Sequence, residues 1–84
     1  MNVQFDAEFN AALLAFNGEA AMYCHGISDL VAQEYAREYT RMLLNRARGL
    51  DFSNPRIPRG LFEPNRNLIQ STLHRMCDKH FPAR

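Results

Sequence analysis

DLVAQEYAREYTRMLLNRARG, residues Asp29–Gly49, repeats an apolar side chain every three or four positions. Val31, Tyr35, Tyr39, Met42 and Leu43 fall on one side at 100° per residue, with Ala32, Ala36 and Ala47 filling in. Gln33, Arg37, Arg41, Asn45 and Arg48 line the other side. Ser28 is placed as N-cap and Gly49 as terminator, which predicts an amphipathic helix over about Asp29–Arg48. Glu34–Arg37 and Glu38–Arg41 are expected i,i+3 ion pairs on its outer face.

Working outward, the preceding segment spans about Asp6–His25, with Asp6 as expected N-cap and Gly26 as stop. Its expected core stripe is Phe5, Phe9, Ala12, Phe16, Ala20 and Tyr23. Gly18 costs up to about 1 kcal/mol against alanine inside a helix, so a kink, or a break into two short helices, is expected near Asn17-Gly18. After the central helix comes GLDFSNPRIPRGLFE, residues 49–63, where Pro55 and Pro58 forbid a regular helix. Phe52, Ile57, Leu61 and Phe62 are expected to pin this connection to the core, with Leu61-Phe62 as a short helical turn. The last segment runs from about Pro64, suited to a first helical turn, to His80. Its expected core face is Ile69, Thr72, Leu73, Met76 and His80, with His74 turned to water.

No strand-like alternation and no internal repeat occurs, so the expected class is all-α. The expected architecture is one 1–84 helical domain: a three-helix bundle, or four helices with a break near Gly18, and a long Pro/Arg loop before the last helix. Eighty-four residues are too few for two full cores. The longest apolar run, Ala11–Phe16, is far short of the roughly 18 residues of a membrane span. No Lys or Arg precedes Arg37, which argues against a secretory or transit peptide, and two cysteines are too few for a disulfide scaffold. A cytoplasmic protein with reduced thiols is expected.

The +1 net charge hides an asymmetry. Residues 1–36 hold five acids and no base, whereas residues 37–84 hold all ten bases against four acids. Arg46, Arg48, Arg56, Arg59 and Arg66 gather within 21 residues, interleaved with Phe52 and Phe62, a pattern able to cradle a phosphate backbone. Arg46 falls by angle among Tyr35, Tyr39 and Met42, so it must snorkel past the helix end, pair with Asp51 or Glu63, or mark a contact. A helix-turn-helix reading through Gly26–Ser28 is disfavoured, because Asp29 and Glu34 stand where base-reading residues belong. Pro55–Pro58 has PxxP spacing, but a stiff loop accounts for it.

Chemical motifs are weak. His74-x-x-Cys77-x-x-His80 spreads its two histidines about 120° apart on a helix, so no metal and no cofactor is expected. Cys24-His25 and Ser71/His74 lack an orienting third group and oxyanion donors, so no catalytic site is expected. The odd feature is the first segment, where no charge occurs from Phe9 to Gly18. Opposite the phenylalanines lie Ala11, Leu14, Ala15, Gly18 and Met22, where an ordinary surface helix would be charged. That face is either covered internally or is a protein interface, including one with a second copy. The expected function is a small non-enzymatic protein that binds another protein, an inhibitor or adaptor of the phage or mobile-element accessory type by analogy. The alternative is a nucleic-acid or phosphate-backbone module using the Arg cluster 46–66.

Overall fold

The computed structural model describes the backbone of residues 3–82 and side chains from Ala7 onward. It holds three helices: α1 (Val3–His25), α2 (Leu30–Ala47) and α3 (Glu63–His80). Among the described residues there is no strand. The three helices share a core built on Phe16, Leu43 and Leu73, which are fully buried, with Ile69, Tyr35, Tyr39 and Met42 around them.

α1 runs unbroken through Gly18, so the expected break into a fourth helix is replaced by one 23-residue helix. Contacts to α2 and α3 along its length offset the local cost of the glycine. The helix begins at Val3, so Asp6 lies inside it and is not its cap. The buried stripe of α1 is also rotated from the expected one. Leu13 and Cys24 are buried beside Phe16 and Ala20, while Phe9, Ala12 and Tyr23 are half-buried. The side chain of Phe5 lies outside the described residues. The rotation follows from α1 packing against two helices at once, which brings its Leu13–Cys24 edge toward α2.

α2 starts one residue later than expected, because Asp29 and not Ser28 is its N-cap. The Asp29 carboxylate accepts from the Val31 N–H at 2.9 Å and the Ala32 N–H at 3.3 Å. At the other end Gly49 adopts φ +72°, and its N–H donates to the Arg46 carbonyl while that of Leu50 donates to Asn45. This is a Schellman stop, which favours glycine because only glycine adopts a positive φ without steric cost. Val31 is exposed and Thr40 replaces it in the core, its hydroxyl donating to the Ala36 carbonyl at 2.8 Å. Of the two expected ion pairs only Glu38–Arg41, at 3.6 Å, forms among the described residues.

Two cross-helix hydrogen bonds set the topology. The Gln70 amide donates to the Tyr35 hydroxyl at 2.7 Å, and Tyr39 bonds His74 Nε2 at 2.8 Å. Both pairs are 35 residues apart, so α2 and α3 run parallel and in step. His74 is therefore half-buried against the Tyr39 ring, ring centroids 5.5 Å apart, and does not face water as expected. α1 runs antiparallel to both: Phe9 and Phe16 meet Phe81 at the end of α3, and Tyr23 and Gly26 share a cleft with Asn65 and Leu68 at its start. Parallel neighbours force residues 48–62 to travel back along the roughly 27 Å length of α2. Leu61 of this strap packs on the core, and Phe52 and Pro55 share a cleft with Met42. Phe52, Ile57 and Phe62, expected to pin it, are about half exposed or more. Phe62 is the N-cap position of α3 and forms no helical turn with Leu61.

Candidate interaction surfaces

Ala11, Leu14, Ala15, Gly18 and Met22 all lie on the solvent side of α1, opposite Phe16 and Ala20. Leu14 is 74% exposed and Met22 79%, so large apolar side chains stand in water there with no charge among them. α2 and α3 occupy the other side of α1, and no described residue covers this face. A second feature adjoins it. Between α1 and α2 runs an open groove of about 650 Å³, lined at depth by the buried Cys24 and Thr40 and along its sides by Ala21, Met22, His25, Arg37, Arg41 and Leu44. The sequence gives no direct signal for this groove, because it exists only where α2 crosses beside the C-terminal half of α1.

The arginines are distributed differently from their sequence clustering. Arg46 and Arg48 end α2, Arg56 and Arg59 lie on the strap, and Arg66 begins α3. On the 35-residue register Arg66 is level with Val31, so Arg46 and Arg66 stand about 22 Å apart along the bundle. They are spread along the bundle and do not make a single patch. Arg46, Arg48, Arg56 and Arg59 are exposed, whereas Arg66 is partly covered and 3.8 Å from Glu63. Arg46 is exposed near the α2–α3 interface. It pairs with neither Asp51 nor Glu63 among the described residues, yet its charge acts on Tyr39 and Cys77.

Among the residues with chemical potential, Cys24, His74 and His80 have partners within the bundle. Burial pushes the Cys24 thiol above its ordinary value near 9.0, and its sulfur sits 3.8 Å from the Thr40 hydroxyl. Burial, reinforced by Asp78, pushes Cys77 the same way. Both shifts favour the neutral thiol. His80 Nε2 meets Glu19 at 2.8 Å, and Lys79 reaches the same carboxylate at 2.8 Å. Hydrogen bonds from Lys79, then His80, hold the Glu19 carboxyl below its usual range. His74, Cys77 and His80 therefore address three different neighbourhoods of the bundle.

No family model matches this chain, nor does any characterised protein or solved structure. No helix among the described residues is long and apolar enough to cross a membrane.

Proposed function

We propose that the chain is a small non-enzymatic cytoplasmic binding protein that acts through the outward face of α1, as an inhibitor or adaptor of another protein. The observation that carries this reading is the uncharged, exposed face formed by Ala11, Leu14, Ala15, Gly18 and Met22. A contiguous apolar face of this kind marks an interaction site more often than a solvated surface. Its small residues admit a close-packed partner, and Met22 adapts to an irregular one.

A second reading rests on the exposed Arg46, Arg48, Arg56 and Arg59 with the exposed rings Phe52 and Phe62 interleaved in sequence, side chains suited to a phosphate backbone. Two variants separate the readings. Ala15→Arg places an unpaired charge in an apolar contact and is expected to abolish capture of a protein target while the far-UV spectrum stays helical. Arg56→Glu with Arg59→Glu is expected to leave that capture intact. If instead the double variant alone loses its target, and parental binding falls steeply with salt or disappears on nuclease treatment, the arginine reading replaces the first.

A further inference from the structure

The groove between α1 and α2 has a cationic end and an apolar end. Its α2 wall is Arg37, Thr40, Arg41 and Leu44, which share one face of that helix. Asn17, Ala21 and Cys24 of α1 stand across from them. The Cys24 sulfur lies 3.8 Å from the Thr40 hydroxyl, which fixes the level of one antiparallel helix against the other. Arg37 and Arg41 therefore lie toward His25 at the end of α1, and Leu44 lies toward Asn17 and Ala21.

No acid lines the groove among the described residues. Arg37 has no ion pair among them, and its charge acts on Cys24 at the floor. Arg41 has Glu38 at 3.6 Å, but both side chains are exposed, so water screens the pair and an incoming anion displaces it readily. The floor makes no claim on an anion. The Thr40 hydroxyl is spent on the Ala36 carbonyl at 2.8 Å, and burial favours the neutral Cys24 thiol. The last carbonyls of α1 do not repel one strongly either, because Met22 and Cys24 accept from the Gly26 and Ile27 N–H groups at 3.1 Å each.

We infer that this groove binds a small amphipathic carboxylate, its head between Arg37 and Arg41 and its apolar body along Ala21, Met22 and Leu44 above Cys24. The dimensions agree. The two arginines are one helical turn apart, about 6 Å, and Arg37 to Leu44 is about 10 Å, the length of an extended octyl chain. The 650 Å³ volume falls inside the ~300–1,000 Å³ of small-ligand sites. Because the arginines are exposed, the apolar body supplies most of the affinity and the guanidiniums choose the head group. The site is separate from the protein contact proposed for the outer face of α1, with which it shares only Met22.

Three probes with one tail test this: octanoate, 1-octanol and octyltrimethylammonium, each titrated into the purified full chain and followed by amide chemical shifts. Octanoate is expected to bind about tenfold more tightly than 1-octanol, and the cation more weakly than either. The largest shifts should fall on residues 21–25 and 37–44. Arg37→Gln with Arg41→Gln should bring octanoate down to the affinity of 1-octanol while leaving 1-octanol binding and the far-UV spectrum unchanged. Ala21→Glu, which puts a carboxylate of the chain itself into the groove, should weaken octanoate further, whereas Arg56→Gln should not weaken it. Equal binding of octanoate and 1-octanol by the parent overturns the inference, as do shifts centred elsewhere or a double variant that keeps its preference for octanoate. Ala15→Arg lies outside the groove and should leave octanoate binding intact; loss there would place the ligand on the outer face of α1 and overturn the inference as well.

Discussion

Phe16 is the residue on which the bundle turns. It is fully buried, meets Phe81 at 6.2 Å and His80 at 6.4 Å between ring centroids, and joins α1 to the end of α3. Phe9 shares the Phe81 contact at 5.6 Å but is half-buried. Deleting a buried aromatic ring leaves a cavity that the neighbours only partly fill. Phe16→Ala is therefore expected to cost about 3–5 kcal/mol by urea denaturation, and Phe9→Ala clearly less. Equal losses would show that the two rings are equally enclosed. Two tyrosines play a comparable part in polar form. Tyr35 and Tyr39 each bury a ring yet pass their hydroxyls to Gln70 and His74, so the α2–α3 interface has no unpaired hydroxyl to destabilise it. The identity of these partners was not readable from helical angles, which turned His74 outward. A histidine at the edge of an apolar face is half-buried whenever the neighbouring helix offers a partner at the right height.

At the scale of the element, each helix is set by its ends. Asp29 caps α2 with two backbone donors, and Ser28 next to it has no capping hydrogen bond. Asp29→Ala is expected to cost about 1 kcal/mol, within the usual range for loss of an N-cap, while Ser28→Ala stays within about 0.5 kcal/mol of the parent. Thermal melts of the two variants check this, and a larger loss from Ser28→Ala would move the cap back to the serine. The ends were largely legible in the sequence: Gly49 as a terminator and Pro64 in a first turn both hold. The choice between adjacent Ser and Asp was not, since both residue types cap well and only the backbone angle at position 29 separates them. α1 shows the opposite case. Its glycine suggested a break by local propensity, but propensity is a fraction of what packing along 23 residues contributes, and the helix continues.

Across the whole molecule, the first and last helices are tied by Glu19 to Lys79 and His80, residues 60 and 61 positions away. Because the Glu19 carboxyl is held below its ordinary value near 4.5, its contribution is fully present above that value. It is lost as pH falls through the lower folded value. Melting temperatures measured between about pH 6 and pH 3 should therefore show parent and Glu19→Gln apart at the upper end and converging at the lower end. High salt should shrink the gap, since Lys79 is mostly exposed and the pair is open to screening. A constant gap across the range would remove the ion-pair account.

The sequence alone determined the helical class and the three segments, because apolar spacing, caps and prolines are local properties that each stretch of chain carries with it. It also marked the uncharged outer face of α1, since a missing charge is visible without neighbours. Only the tertiary structure decided that α3 runs parallel to α2, that the strap must return along the bundle, and that the arginines at the two ends of the cluster stand far apart. It alone placed the α1–α2 groove beside the exposed face of α1 and turned Leu13 and Cys24 inward. These depend on which helix lies beside which and at what height. Helical periodicity fixes the angle of a side chain about its own axis but not the position of the helix next to it.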